Sequence, residues 1–284
     1  MAEPASKQAS TDIGSGKLLP FFLIVFGLAW SLFALFILAT DWVETTFGAL
    51  SGSHPLFILA VYAPAISALF LVGLKTGVSG LGRYLSRLFL WRASIWWYAF
   101  LLLGFPVIFF AGALIKGNAA SAPLLTESIG ALLPAIGFML VLGPMEEIGW
   151  RGFALPILQR RMAPFWAGLL LGVIWAIWHV PAFLLSGTPQ AAWGFFPFFA
   201  GSVACSVILT AFFNDARGSI LLAMLFHFQM NNPLWPDAQP YDMYVFVAAA
   251  IVIVWLNRRA YFSRDGAVAK VVPGRVIPER TASP

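Results

Sequence analysis

The stretch 129-IGALLPAIGFMLVLGPMEEIGWRGFALP-156 joins a long apolar run to two adjacent glutamates and an arginine, in a chain of which 10% of the residues are charged. Its apolar part, 129–143, has the composition of a membrane-spanning helix. Charged side chains beside such a run are costly unless they are paired or face a cavity. The stretch therefore predicts a membrane helix that carries Glu146 and Glu147 for a functional reason.

The composition of the whole chain predicts a protein with several membrane spans. Of its 284 residues, 60% are hydrophobic and 16% aromatic, and the mean hydropathy is +0.85. Most of such a chain cannot form the surface of a soluble globule. The first apolar run, 18–40, is too long for the core of a cleavable signal and predicts an uncleaved span. The single cysteine, Cys205, excludes disulfides within the chain and cysteine-rich metal sites.

The apolar segments are long enough to cross a bilayer when they approach roughly 20 residues. Spans are predicted near 18–40, 55–74, 95–115, 129–147, 165–185, 195–213 and 243–256, with a shorter one at 219–230. If the N-terminus is cytoplasmic, 16 of the 17 Lys and Arg residues fall on the cytoplasmic side and only Lys116 falls outside. This bias follows the positive-inside rule, so we expect both termini in the cytoplasm. Membrane topology and contact with lipids also account for the net charge of +5, so we expect no nucleic-acid partner.

The chain is predicted to fold as one bundle. We expect a polar cytoplasmic tail at 1–17, three spans at 18–128, a core at 129–235, a last span at 236–256 and a disordered cytoplasmic tail at 257–284. No internal repeat is visible, which argues against a transporter built on inverted repeats.

Segment 81–92 is the one amphipathic stretch between two predicted spans. A helix there would place Leu81, Leu85, Leu88 and Phe89 on one face, apart from Arg83 and Arg87. This pattern predicts a helix in the cytoplasmic interface with its basic residues near anionic lipid. A basic loop close to the membrane is the alternative.

Few polar side chains lie within the apolar zone, so each is a functional hypothesis. They are Glu146, Glu147 and Arg151 at the end of the fourth span, His179 in the fifth, and His227 and Asn231 in the short seventh. The third histidine, His54, precedes a proline in an external loop, where a solvated turn histidine is expected.

Spacing brings these candidates together. The glutamates precede the turn at 160–164 by about 16 residues, and His179 follows it by about 16. In an antiparallel hairpin they lie level, each roughly 24 Å along its helix. The spacing also implies that the fourth helix continues beyond the bilayer and carries Arg151 and Arg160 into the cytoplasm.

The two glutamates are expected to differ in role. Glu147 and Arg151 are four residues apart with the acid first, the favourable order for a helical ion pair. Glu146 points about 100° away from Glu147, so its carboxylate is left free to act as a general base. The alternative is that both acids pair with arginine and serve structure alone.

The histidines have neighbours at helical spacing. Trp175 lies one turn before His179, where its ring can pack against the imidazole. His227 and Asn231 share a helix face at a spacing of four. A lone histidine on an apolar face is more often a core residue, but two converging polar groups are hard to explain by packing.

Three elements occur in order: Glu-Glu-x-x-x-Arg ending at Arg151, Trp-x-x-x-His ending at His179 and His-x-x-x-Asn ending at Asn231. With their surroundings EEIGWRGFALP, WHVPAF and HFQMN, they resemble the CPBP family of intramembrane proteases, the CAAX-processing and bacteriocin-processing, Abi-like group. The resemblance covers about 129–235. The second motif usually has Phe where this chain has Trp175, an aromatic exchange expected to matter little.

The resemblance implies a bundle of about eight transmembrane helices with a polar cavity that faces the cytoplasm. It implies that Glu146 and His179 activate water, and that His227 and Asn231 stabilise the oxyanion of a tetrahedral intermediate. Eukaryotic relatives remove the terminal tripeptide of prenylated CAAX proteins, and many bacterial ones are linked to bacteriocin maturation or immunity. The substrate is expected to be a membrane-associated peptide or protein, with or without a prenyl group. The chain looks bacterial, which predicts the bacterial inner membrane.

Two other functions use the same residues. A scaffold or immunity protein could keep the constellation and act by binding, and a proton-coupled transporter could use it as a relay. No cofactor is required on the preferred interpretation. Zinc is the alternative, held by Glu146, His179 and His227, but the chain has no His-Glu-x-x-His helix and Asn231 is a poor zinc ligand.

Overall fold

The computed structural model describes residues 12–274, which contain helices and no strand. The bundle consists of α1 (Leu18–Leu38), α2 (Ala63–Leu85), α3 (Ile95–Lys116), α4 (Ile129–Gln159), α5 (Pro164–Trp178), α6 (Phe195–Asp215), α7 (Ile220–Met230) and α8 (Tyr241–Leu256). In the described part of the chain, six helices are long and apolar enough to cross a membrane, whereas α7 and α8 are shorter. The predicted class, an all-α membrane protein, is confirmed.

Short helices connect these elements. They are Ser15–Lys17, Thr40–Phe47, Pro55–Val61, Ser86–Phe89, Ala119–Ser121, Pro123–Thr126, Val180–Leu184, Pro189–Ala192 and Arg258–Phe262. Several helices begin at residues suited to a first turn. Pro164 opens α5, and the Ser219 hydroxyl accepts a hydrogen bond from Leu222 N at 3.0 Å at the start of α7.

Helix α4 is irregular at the site. Its first part, Ile129–Val141, is interrupted at Leu142, and a 3₁₀ turn at Gly143–Met145 follows. The helix resumes as Glu146–Gly149, a π turn at Trp150–Ala154, and Leu155–Gln159. The irregular backbone thus places the glutamates in the first turn after an interruption.

Side chains near the end of α2 satisfy carbonyls of this irregular part. The Tyr84 hydroxyl donates to Ile148 O, and Arg87 Nη1 donates to Gly152 O at 2.8 Å. A departure from regular α-helix inside a membrane is tolerated where other protein groups bind the freed carbonyls.

Helix α5 lies very close to α6. A Cβ at Gly172 would lie 2.8 Å from Ser206 Cβ and 2.9 Å from Val203 Cα, so only glycine fits. The Ser206 hydroxyl also donates to Gly168 O at 2.8 Å. Small residues at a helix contact are the usual way in which membrane helices pack closely.

The outer surface of the bundle is apolar. Four large side chains are each more than 80% exposed: Leu38, Val78, Phe89 and Phe196. Such exposure is unfavourable in water but suits a surface that contacts lipid. The exposed apolar surface supports the membrane assignment independently of helix length.

Arg87 corrects the predicted interfacial helix at 81–92. The chain continues as α2 to Leu85 and then as the 3₁₀ turn Ser86–Phe89. Arg87 is 2% exposed, so it is buried in the bundle instead of lying near lipid headgroups. The prediction failed because periodicity shows an apolar face but not the carbonyl acceptors that later segments supply.

The C-terminal segment corrects a second expectation. Residues 257–274 form the helix Arg258–Phe262 and then an irregular segment in which Val271 and Val272 are buried. Tyr261 is buried as well, and its hydroxyl donates to Val207 O at 2.9 Å. The predicted disorder is therefore wrong for 257–274. The rest of both predicted tails, 1–11 and 275–284, lies outside the described residues.

The bundle has two chemically different ends, because successive helices run in opposite directions. The tail end comprises 12–17, 86–94, 160–163, 216–219 and 257–274, and the cavity end comprises 39–54, 117–128, 185–194 and 231–240. Ten Lys and Arg residues lie in the tail-end segments, whereas the four cavity-end segments contain none.

Candidate active site

A cavity of about 520 Å³ opens among the helices toward the cavity end. Its wall includes all four residues predicted to be catalytic: Glu146, His179, His227 and Asn231. The remaining wall is largely apolar and aromatic. The predicted residues therefore come together in one place, although their catalytic roles stay a prediction.

Glu146 lies in the cavity wall and is only 3% exposed. Its Oε2 accepts hydrogen bonds from Trp175 Nε1 at 2.8 Å and from Trp150 Nε1 at 3.2 Å. Within residues 12–274, no basic side chain forms an ion pair with it. Two neutral indoles thus hold a carboxylate that is left available for proton transfer.

Glu147 has the partner that the sequence predicted and a second one that it did not. Arg151 Nη1 donates to Glu147 Oε1 at 3.1 Å, and both side chains are fully buried. His227 Nδ1 lies 2.7 Å from the same oxygen. Glu147 therefore joins the ion pair on α4 to the histidine on α7.

This second contact could not be read from spacing. A separation of four residues identifies the pair within α4, but the contact with His227 spans 80 residues and depends on how α7 packs against α4. The useful signal was the polar face of His227 and Asn231. That face indicated a partner without identifying it.

Arg151 corrects the expectation that α4 carries it into the cytoplasm. Its side chain is 0% exposed. Its guanidinium lies 5.2 Å from the ring centroid of Trp175, an arrangement that suits a cation–π contact. The length of α4 was anticipated, but the first turns after the glutamates pass through the bundle interior instead of through water.

Trp175 is the central side chain of the site. Besides the bond to Glu146, its ring lies 5.4 Å from that of His179 and 5.5 Å from that of His227. The packing of Trp175 on His179 agrees with the sequence analysis. The exchange of Phe for Trp at this position is more than an aromatic substitution, because only Trp donates an N–H to Glu146.

His179 is half-buried at the end of α5, in the cavity wall. Its Nδ1 lies 2.8 Å from Trp175 O. A carbonyl oxygen can only accept, so Nδ1 carries the proton and Nε2 of the neutral ring is an acceptor. In the part of the chain that the structure describes, Nε2 has no hydrogen-bond partner.

His227 and Asn231 meet at Gly143, in the 3₁₀ turn before the glutamates. A Cβ at Gly143 would lie 2.8 Å from His227 Nε2 and closer still to Asn231 Nδ2. The absence of a side chain at this position lets two nitrogens from α7 approach the backbone of α4. Gly143 is thus a residue of the candidate site that sequence analysis missed, and only the tertiary structure reveals it.

His54 is not the solvated residue that was expected. It is 4% exposed, and its ring packs against Phe36 with centroids 5.0 Å apart. Its Nδ1 accepts a hydrogen bond from Leu56 N at 3.2 Å and so caps the helix Pro55–Val61. The turn was predicted correctly, but the apolar contact with α1 was not.

The placement of the His and carboxylate side chains bears on the zinc alternative. No group of three His, Cys, Asp or Glu side chains within 12–274 is placed to hold one, and this includes Glu146, His179 and His227. Both indole bonds of Glu146 end on Oε2, and Nδ1 of His179 is occupied by a carbonyl. These contacts leave Oε1 of Glu146 and Nε2 of His179 without a hydrogen bond in the described chain, so the zinc alternative at Glu146, His179 and His227 stays a prediction.

The cavity lies at the opposite end of the bundle from residues 12 and 274, where the described part of the chain begins and ends. The cavity wall includes Gly52, Pro123, Gln190 and Asp237, all from cavity-end segments. Residue 12 and the buried part of the tail lie at the other end. The cytoplasmic termini and the cytoplasm-facing cavity expected from the sequence both stay predictions, and the structure adds that the cavity lies away from residues 12 and 274.

The comparisons with known proteins agree with this site. Residues 128–232 match the model of the family described as type II CAAX prenyl endopeptidase Rce1-like. A curated relative, CAAX prenyl protease 2 of Methanococcus maripaludis, is 28% identical over 145 residues, which cover 47% of this chain and 54% of the relative. The chain thus spans about half the length of that relative. On these findings, residues 128–232 are similar to the CPBP and CAAX protease family, which supports the resemblance seen in the sequence.

Proposed function

We propose that this protein is an intramembrane endopeptidase that hydrolyses a peptide bond of a membrane-associated substrate inside the described cavity. The observation that carries the proposal is the shared wall: an unpaired carboxylate and a pair of nitrogen donors face one cavity. Amide hydrolysis needs both, a base for water and donors for the oxyanion. The family match supports the same reaction class.

The first step is attack by water. Glu146 accepts a proton from water while the water oxygen bonds to the scissile carbonyl carbon. Trp150 and Trp175 orient the carboxylate by donating to it. His179 presents Nε2 toward the cavity as a second acceptor for the attacking water. The proton held by Glu146 then passes to the leaving amine as the C–N bond breaks.

The second requirement is stabilisation of the oxyanion. Asn231 Nδ2 and His227 Nε2, which converge at Gly143, are the proposed donors. The Glu147 carboxylate can only accept, so Nδ1 of His227 must carry the proton that it donates to Oε1. Nε2 can then donate to the oxyanion only if it is protonated as well, so the ring must be an imidazolium. The charges of Glu146, Glu147, Arg151 and this imidazolium then sum to zero, which makes their burial less costly.

The decisive experiment is cleavage of a membrane-anchored peptide reporter by the purified full-length protein. We expect one new terminus, identified by mass spectrometry. Glu146→Gln should reduce turnover by about 10²–10⁴-fold, the usual size of general-base catalysis, with an unchanged unfolding midpoint. Full activity of folded Glu146→Gln would exclude Glu146 as the general base, whereas no cleavage by the native protein would favour a binding or immunity protein instead.

We also propose that catalysis needs no metal. Turnover should survive dialysis against a chelator, with less than stoichiometric zinc in the active protein. Activity that is lost on chelation and restored by zinc alone would reverse this assignment, and the site would then have to rearrange so that Glu146, His179 and His227 share an ion.

The proposal includes an orientation in the membrane. Basic residues are concentrated at the tail end, which the positive-inside rule places in the cytoplasm. The cavity then opens on the opposite side, and the substrate reaches it from there. This differs from the cytoplasm-facing cavity that the family resemblance implied.

Orientation can be tested with two matched cysteines in a Cys205→Ser background. Ser53 lies at the cavity end and Ser86 at the tail end, and both are exposed. In intact cells an impermeant thiol reagent should label Ser53→Cys and leave Ser86→Cys unlabelled until the membrane is opened. The reverse pattern would restore the cytoplasm-facing cavity.

A further inference from the structure

Asp242 is a buried carboxylate in the cavity wall that the proposed reaction does not use. It lies in the first turn of α8 and is only 2% exposed. Its Oδ1 accepts a hydrogen bond from the adjacent Met243 N at 2.9 Å. The first turn of a helix favours a carboxylate, which explains part of its stability there. It does not explain why the side chain faces a cavity.

The position of Asp242 is fixed by close packing. A Cβ at Gly112 of α3 would lie 2.7 Å from Asp242 N, so the backbones of α3 and α8 touch at this point. A carboxylate on such a rigid turn cannot readily move away from the cavity. It is therefore built as a defined part of the wall.

Asp242 also lacks a cationic partner. Within residues 12–274, no Lys, Arg or His forms an ion pair with it. Lys116, the last residue of α3, donates instead to Asp237 Oδ2 at 2.7 Å. A buried carboxylate without a partner is costly unless it takes up a proton or a cation arrives from outside.

The other carboxylates of the cavity region do not compete for this role. Glu147 is neutralised by Arg151 and contacts His227, and Glu146 is assigned to water. Asp237, which also lies in the wall, is paired with Lys116. Asp242 is thus the carboxylate that remains for recognition of substrate. A charge-assisted hydrogen bond there would distinguish a cationic group from a neutral one of the same length.

We propose that Asp242 binds a cationic group of the peptide substrate, a Lys or Arg side chain or a free amine, and so sets which peptides are accepted. This inference rests on the proposed function, because it assumes that the cavity takes a peptide. It assigns to α8, outside the matched segment, a part in specificity.

The experiment compares reporter peptides that carry lysine, acetyl-lysine or norleucine at each position near the cleaved bond. For the full-length protein, kcat/KM at one position should be about 10- to 100-fold higher for lysine than for the neutral side chains, as expected for a hydrogen bond to a charged group. In Asp242→Asn this preference should disappear, so that the ratio of kcat/KM for the lysine and norleucine peptides falls to about one. Asp237→Asn is the matched control and should keep the preference.

A second measurement separates failure of this inference from failure of the proposed function. Binding of the same peptides to Glu146→Gln, followed by fluorescence polarisation, should show the same preference for lysine, and its loss on adding Asp242→Asn. Preferential binding without any cleavage would sustain the Asp242 site and reject the peptidase. No lysine preference in either assay, or a preference that survives Asp242→Asn at an unchanged unfolding midpoint, overturns the inference.

Discussion

Buried charged side chains have different partners at the tail end of the bundle and in the cavity wall. At the tail end, Arg87 donates from Nε to Gly218 O at 2.8 Å and from Nη1 to Gly152 O and Val271 O at 2.8 and 3.0 Å. In the cavity wall, within residues 12–274, Glu146 accepts hydrogen bonds from two indole N–H groups alone, and Asp242 from backbone alone. Both arrangements are costly to build, but only the second leaves a charge that an incoming molecule can use.

The difference shows how to separate structural from functional charges in a membrane protein. Burial alone does not do so, because Arg87 and Glu146 are both almost inaccessible. The kind of partner separates structural from functional charges. Carbonyl acceptors from distant segments indicate a side chain that fastens the chain together, whereas a carboxylate that faces a cavity without a cation indicates chemistry or recognition.

Glu147 belongs to both categories, and it gives the prediction with the largest expected effect here. Glu147→Gln leaves Arg151 buried without its counter-ion, which typically costs about 3–5 kcal/mol. It also removes the carboxylate that orients His227, so turnover per folded molecule should fall by about 10–100-fold, as for other groups that orient a functional histidine. Unfolding midpoints and activity per folded molecule measure the two effects separately.

Arg151→Met is the control for that prediction. It removes the same ion pair but keeps the contact of Glu147 with His227, so stability should fall comparably and turnover less. In a double-mutant cycle, His227→Gln should cost less in the Glu147→Gln background than in the native protein. Equal turnover in Glu147→Gln and Arg151→Met would mean that Glu147 acts through Arg151 alone.

Much of the site could be predicted from sequence because its parts lie on single helices. The pair of Glu147 and Arg151, and the face shared by His227 and Asn231, both follow from a spacing of four. The position of His179 at the same depth as the two glutamates follows from counting residues outward from the turn at 160–164. These inferences use only the geometry of one helix or one hairpin.

The contacts that were missed depend on distant segments. Nothing near Arg87 in the sequence indicates that Gly218 and Val271 supply its acceptors. Likewise, the composition of 257–274 resembles a disordered tail, and the segment is ordered because acceptors and donors on α4 and α6 bind its backbone. Local pattern predicted which residues are polar but not which of them are fastened to each other.

Arg87 gives a prediction of intermediate size. Arg87→Met leaves three buried carbonyls without their donor and should lower the free energy of unfolding by on the order of 3 kcal/mol. Turnover per folded molecule should change by less than about twofold, since no group in the cavity is altered. Arg87→Lys keeps the charge but not the fork of donors, so its free energy of unfolding should lie between those of Arg87→Met and the native protein. A large loss of turnover at unchanged stability would place Arg87 in the functional machinery instead.

The smallest expected effect concerns Asp12, which links the N-terminal segment to the C-terminal one. Its Oδ2 accepts from Arg160 Nη2 at 2.7 Å, and its Oδ1 accepts from Val271 N and Val272 N at 3.1 and 3.3 Å. The two side chains of the ion pair are 26% and 21% exposed, so Asp12→Asn, which keeps an acceptor oxygen, should cost no more than about 1 kcal/mol. This corresponds to a fall of roughly 2–4 °C or less in the unfolding midpoint. Asp12→Ala removes the acceptor as well and should lower the midpoint further, while turnover stays native. Equal midpoints for Asp12→Asn and Asp12→Ala would show that this side chain does not hold the tail, and the backbone order at Val271 would then depend on Arg87 alone.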